Sequence, residues 1–354
     1  MAYRVGEDLL PDHQSVDPAA YEDLFRQCPQ SNLLQSAAYG LAKAQVEGFR
    51  VEHRVVLIDG SPIAFYQVLL KNLPLVGTVA RINRGPLCLP TFPLSPNNLT
   101  LLYRYLYREW VLKNRGFLTI APNVSSDLLT EEELRQEGFL PGSEPPWQSG
   151  WLPLQQDEET LRKALLQKWR NLLNKSEKMG MELHPVADRE EMEDVLGEYD
   201  RFMKLRNFQS TSSALIRAIY HQSPDLLYTL VAQREGRYLG AVIIARHGRA
   251  CTYLVGMTSE EGRRANANYF LLWNGLLHCR RTGSEWFDVG GIDEIHTPRI
   301  AHFKKGLGFS PYRLIGEYEG YRGLRYGLLS KLKKFFHSGL PKKSHGAAGQ
   351  TLDP

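Results

Sequence analysis

Residues able to do covalent chemistry are scattered along this chain, and their spacing excludes more than it suggests. No Gly-x-Ser-x-Gly turn, no His-Glu-x-x-His pair and no metal-type cluster occurs, so neither an activated serine nor a metal centre is expected. Cys28, Cys88, Cys251 and Cys279 lie far apart with no Cys-x-x-Cys spacing. They read as reduced thiols of a cytoplasmic protein. His296 and His302 flank Phe303-Lys304-Lys305, but they lack ligand spacing and no carboxylate partner is evident, so a structural role is expected of both. What remains is positive charge. A helix is predicted from Leu161, with Leu161, Leu165, Leu166, Trp169, Leu172 and Leu173 on one face. Arg162, Lys163, Lys168, Arg170, Lys175 and Lys178 crowd its other faces, which suits RNA phosphates or plain solvent. A second basic tract runs over residues 321–344, where Arg322, Arg325, Lys331, Lys333, Lys334, Lys342 and Lys343 alternate with apolar positions near helical spacing. It suits an anionic membrane face or an RNA backbone, or a terminal helix docked on the body. Disorder is expected from about Pro341 onward.

The elements that would position these groups repeat. With 354 residues, 43% hydrophobic and 23% charged, and a net charge of +4, the chain can build two domains with real cores. No apolar run approaches the ~20 residues of a spanning helix, and the acidic N-terminus has no apolar leader stretch. In the first half, Val55 to Leu70 reads as a hairpin, GTVARINRGPL as a strand, NNLTLLYRYLYREWVLKNRG as a helix opened by an Asn cap, and FLTIAPN as a strand. The second half echoes this with a hairpin in LYTLVAQREGRYLGAVIIARHG and a strand in ACTYLVGMTS. A helix in NYFLLWNGLLHCRRTG and a strand in WFDVGGI follow. Such a repeat defines a duplicated scaffold. The order resembles the acetyltransferase (GNAT) fold, in which a splayed strand leaves a cleft for an acyl donor. The fold class expected is α/β (α+β): two tandem GNAT-like domains, mixed sheets flanked by helices, and no long coiled-coil arm. Boundaries fall at residues 1–152 and 153–320, with a basic amphipathic segment and tail over 321–354.

Four strings then carry a narrower resemblance: SNLLQSAAYGLAK (Ser31 to Lys43), RGPL (Arg84 to Leu87), LRKALLQKWRNLLNKSEKMGMEL (Leu161 to Leu183), and FDVGGID with HFKKGLGF (Phe287 to Phe309). In this order, over about residues 30–320, they resemble the Fem family of peptidoglycan interpeptide-bridge enzymes, in its compact FemX-like form. The resemblance implies transfer of an amino acid from aminoacyl-tRNA to an amine of a UDP- or lipid-linked muropeptide precursor, without a further cofactor. That reaction is amine attack on an activated ester, so the protein must align two anionic substrates and stabilise an oxyanion. The resemblance places Phe303 and Lys304 at the transfer site, with Lys304 stabilising the developing charge. It makes Lys43 and Arg206 anchors for the precursor's diphosphate, and Tyr253 an aromatic of the acceptor cleft. Gln35 and Trp273 are weaker candidates, and Lys168, Arg170 and Lys175 are candidate RNA contacts. The protein is expected to be a monomer in the cytoplasm, with peripheral membrane association through residues 321–344. The rival is an acyl-CoA-dependent N-acyltransferase acting on an envelope polysaccharide or small amine. Such enzymes cradle the CoA pyrophosphate on open backbone N–H groups at a helix start. The corresponding spots here, TSEEGRRANANY and proline-rich CLPTFPLSPNN, suit that poorly.

Overall fold

The computed structural model describes residues 11–74, 77–206, 210–323 and 326–327. The chain forms two compact units, one holding the residues up to Gln148 and the segment that begins at Tyr312, the other Ser149–Pro311. The sequence reading placed the boundary at Leu152 and carried the second domain to residue 320. The structure divides the chain differently because the last strand returns to the first sheet.

The strands of the first sheet are β1 (Asp12–Ser15), β2 (Arg50–Ile58), β3 (Ser61–Leu73), β4 (Gly77–Asn83), β5 (Leu87–Cys88), β6 (Phe117–Ala121) and β7 (Leu140–Pro141). Those of the second are β8 (Gln148–Pro153), β9 (Glu182–Pro185), β10 (Leu227–Arg234), β11 (Arg237–His247), β12 (Ala250–Thr258), β13 (Trp286–Asp288) and β14 (Ser310–Arg313). Strand β15 (Tyr318–Gly320) rejoins the first sheet between β6 and β7, so the order there is β1-β2-β3-β4-β6-β15-β7. The second sheet is ordered β14-β8-β13-β12-β11-β10-β9. In both sheets an inserted strand fills the last-but-one position. Each sheet contains a parallel pair, β4–β6 in the first and β12–β13 in the second, flanked by antiparallel neighbours such as β15–β6 and β13–β8.

The predicted echo is present down to the turns. Asp59-Gly60 joins β2 to β3 with both φ angles positive, and Glu235-Gly236 joins β10 to β11 in the same way. Such two-residue turns match the twist of the strands they connect. Each sheet packs an amphipathic helix: Pro96–Tyr107 buries Leu99, Leu102, Tyr103 and Leu106, and Ala267–Arg281 buries Leu271, Leu272, Trp273 and Leu276. The first of these is opened by Ser95, whose side chain accepts from the Asn98 amide at 3.3 Å, rather than by an Asn.

One predicted helix is two. Glu158–Ala164 and Gln167–Glu177 are separated by Leu165 and Leu166 in extended conformation. The cause is tertiary. The Leu166 amide donates to the Gly306 carbonyl at 2.9 Å, and a Cβ on Gly306 would fall 2.3 Å from Trp169. A Cβ on Gly308 would fall 2.4 Å from the Ala164 carbonyl. The Gly-Leu-Gly turn after Lys305 is thus keyed into the helix break, which leaves Leu166 54% exposed instead of in the core.

Candidate active site

The parallel pair of the second sheet is short. Only Ala250–Thr252 pair with Trp286–Asp288; beyond Thr252, among the described residues, that edge of β12 has no strand partner. A bulge assists the parting. Ile243 faces Val255 and Ile244 faces Tyr253, so Leu254 is the extra residue, and such an insertion bends and twists its strand. After Asp288 the chain turns through Gly290 at φ +72°. A Cβ there would lie 2.3 Å from the Tyr253 carbonyl oxygen and 3.3 Å from Lys304 Nζ. Only glycine fits a positive φ and so close a backbone approach.

Lys304 reaches this turn from the helix Pro298–Lys305. Its ammonium donates to the Gly291 carbonyl at 2.7 Å and lies 5.2 Å from the centre of the Tyr253 ring. The residue is only 6% exposed. Burial lowers its pKa to about 8, against the raising influence of the Asp288 carboxylate. Burial also pushes the Tyr253 phenol well above its usual range. The phenol lies over Gly256, where a Cβ would fall 1.8 Å from its oxygen.

Beneath the lysine sits a small polar network. Asp288, 1% exposed, accepts from the Gly290 amide at 2.8 Å and from the Ser149 hydroxyl. The Ser149 oxygen is also 2.9 Å from the Gly290 carbonyl. Ser149 belongs to β8, which pairs antiparallel with β13. A concentrated, water-poor positive charge beside two strand ends can stabilise an oxyanion.

Phe303 does not share this environment. Its ring stacks on Trp169 with centroids 6.0 Å apart and meets Tyr269 edge-on at 5.0 Å. It anchors the helix that presents Lys304. Lys305 pairs at 2.7 Å with Glu294. His296, for which no carboxylate was expected, has one: its Nδ1 lies 2.7 Å from Asp293. Asp293 also accepts the amides of Ile295 and His296, so it closes the turn leading into the helix.

The structure thus brings Lys304 and Tyr253 together and moves other candidates elsewhere. Gln35 is not a ligand-facing group. It is fully buried in the first unit, where its amide donates to the Asn83 carbonyl at 2.7 Å and accepts from the Gln67 amide at 2.8 Å. Tyr21 adds a bond to its backbone carbonyl at 2.8 Å. A fully engaged side chain of this kind braces the fold. Lys43 lies on the helix Ala37–Glu47, paired with Glu47 and 5.6 Å from the centre of the Phe49 ring. Arg206 is exposed at the end of the helix Arg189–Arg206 in the second unit. Trp273 packs in the second core. Lys168 and Lys175 are exposed, and Arg170 is half-buried on Gln167–Glu177, donating to the Lys163 carbonyl at 3.3 Å. Just beyond that helix, Met179, Arg234, Arg237, Glu261, Arg264 and Ala265 line a hollow of about 380 Å3. Most of the basic tract over 321–344 lies outside the described residues; at its start, Tyr326 is buried and donates to the Arg115 carbonyl at 3.1 Å. No described helix is long and apolar enough to cross a membrane.

Sequence reasoning missed Ser149, Asp288 and the Gly290-Gly291 turn as site elements. Asp288 and the glycines stand in the Phe287–Asp293 string, where paired glycines after a strand mark close backbone approach. Ser149 carries no local mark.

Residues 161–305 match the family model described as an acetyltransferase (GNAT) domain, a span that includes Lys304, Tyr253 and Asp288. With the first sheet built on the same plan, the chain has a tandem GNAT-like fold. Its fold is that of FemX: the two structures agree with a TM-score of 0.76 at 16% identity, over 91% of this chain and 100% of FemX. L-PGS from Bacillus licheniformis is similar at a TM-score of 0.51 and 11% identity, covering 91% of this chain and 98% of that one. The C-terminal domain (DUF2156) of a candidate lysylphosphatidylglycerol synthetase from Agrobacterium fabrum gives 0.51 at 13%, with 89% and 96% covered. Among curated protein sequences none matches.

Proposed function

We propose that this protein transfers an aminoacyl group from the 3′ ester of aminoacyl-tRNA to an amine of a peptidoglycan precursor peptide. The observation that carries the reading is the buried Lys304 ammonium at the parting of β12 and β13. In the reaction the acceptor nitrogen attacks the ester carbonyl, and the C=O electron pair moves onto oxygen beside Lys304. Collapse forms the amide, breaks the ester C–O bond and releases the ribose 3′ oxygen, which takes the proton that the amine gives up. An ester already activated requires no enzymic nucleophile. The two hydroxyls near Lys304 are not primed as one: the Tyr253 phenol is held well above its usual range, and the Ser149 hydroxyl donates to Asp288. The resemblance of the Phe287–Phe309 string to the Fem family favours this donor.

The acyl-CoA alternative fits less well. A pyrophosphate cradle needs open backbone donors at the start of a helix. In the loop ahead of the helix Ala267–Arg281 the Gly262 amide donates to Ser259 Oγ, Arg263 to the Ser259 carbonyl, Ala265 to Glu261 and Asn266 to Arg263, although Asn266 gives the helix's own first amides no side-chain cap. The loop is also pinned to β11, because a Cβ on Gly262 would fall 1.9 Å from the Leu239 carbonyl.

The test is a transfer assay with labelled aminoacyl-tRNA and UDP-linked or lipid-linked precursors. Lys304→Ala is expected to lose about 10²–10³ in kcat, the usual cost of an oxyanion donor, with little change in precursor KM. Transfer at the wild-type rate in that variant, or acylation supported by acetyl-CoA alone, overturns the reading.

A further inference from the structure

We propose that Asp288 and Ser149 are positioning residues that hold Lys304 as an ammonium ion aimed into the gap between β12 and β13. The proposal rests on the reading of Lys304 as the charge at the transfer site, and it extends that reading to two residues that touch no substrate.

Burying an ammonium away from water costs several kcal/mol unless an opposite charge and hydrogen bonds compensate it. The groups facing Lys304 come from four elements. From β12 comes the Tyr253 ring, 5.2 Å away and uncharged at neutral pH. From the loop after β13 comes the Gly291 carbonyl. That loop's acids face elsewhere: Asp293 is bound to His296 and Glu294 to Lys305. On the lysine's own helix, His302 is exposed. This leaves Asp288 of β13 as the carboxylate that acts on Lys304.

Asp288 is itself held. The Gly290 amide and the Ser149 hydroxyl both point at it, which fixes its rotamer. The Gly290 amide also ties the carboxylate to the glycine turn whose next carbonyl accepts the lysine's hydrogen bond. Ser149 therefore works through Asp288, and Asp288 through both field and turn geometry. Because Ser149 enters on β8, the strand inserted beside β13 is part of the site's electrostatics as well as its sheet.

The experiment measures the ionisation of Lys304 directly in the full-length protein by pH-dependent competitive acylation of its amine, read by peptide mass spectrometry. It requires no substrate, so its outcome is separable from that of the transfer assay. In the wild type, half-ionisation is expected near pH 8. Asp288→Asn is expected to lower it by about one unit or more, and Ser149→Ala by a smaller amount in the same direction. Ser149→Thr, which keeps the hydroxyl, should restore the wild-type value. Where transfer is measured, the high-pH limb of its profile should move by the same amount. If Asp288→Asn fails to fold, the Ser149 pair decides. A Lys304 titration unmoved in Ser149→Ala and in any folded Asp288→Asn protein, with only thermal stability lowered, overturns the proposal. A shifted titration without detectable transfer sustains it and sinks the functional reading instead.

Discussion

The two halves of this molecule share a plan and differ at the seam between their parallel strands. In the first, β4 and β6 stay paired over five residues, Val79–Asn83 with Phe117–Ala121, and the Gly85 amide continues the seam to the Ala121 carbonyl at 3.1 Å. Gln35 braces the Asn83 end from within. In the second, the matching seam stops after three pairs, β12 carries an extra residue, and a lysine fills the opening. The duplicated scaffold is thus closed at this seam in one copy and open in the other, where the proposed transfer site lies. Closure and opening depend on a handful of contacts rather than on the fold.

That contrast can be attacked from either side. After Lys304 itself, the largest effect is expected at Gly290. Alanine there adds a Cβ against the Tyr253 carbonyl at a positive φ. It should displace the turn and Lys304 together, lowering kcat on the order of 100-fold, since misplacement by ~1 Å can cost that much. Transfer kinetics, with circular dichroism to show a folded chain, check this; near-normal turnover would mean the seam's parting is not where the chemistry occurs. Gln35→Ala is the counterpart in the closed half. It strands the Asn83 carbonyl and the Gln67 amide, so a loss of about 1–3 kcal/mol in unfolding free energy is expected, with kcat/KM unchanged. A catalytic defect without a stability defect would contradict the division of labour. The smallest effect belongs to the exposed basic surface of the open half. Lys168→Glu with Lys175→Glu should weaken binding of an acceptor-stem RNA a few-fold and flatten its salt dependence, as read by fluorescence anisotropy. An unaltered salt slope would remove that face from the donor path.

The sequence made some of this legible and hid the rest for physical reasons. Hairpins announced themselves because a two-residue turn with Gly between apolar runs is a local event, and Asp59-Gly60 and Glu235-Gly236 behave as such. The tandem architecture was legible from the repeated order of elements. The break at Leu165-Leu166 was not, since its cause is a carbonyl far along the chain, that of Gly306. Gln35 stood in the sequence as a weak site candidate beside a capping or packing role, and the structure gives it the second; its partners, the backbones of Gln67 and Asn83, leave no mark in the string around it. Ser149 shows no pattern of its own, and its meaning appears only when β8 is laid beside β13.

The return of β15 to the first sheet bears on the order in which a ribosome could finish this molecule. The amino-terminal unit emerges early, but the slot between β6 and β7 stays vacant until Tyr318–Gly320 has been made. The carboxy-terminal unit is continuous over Ser149–Pro311, so every strand of its contiguous body is available before that. What is synthesised first is completed last, and a nascent chain halted before residue 318 would carry an unfilled sheet position at its older end.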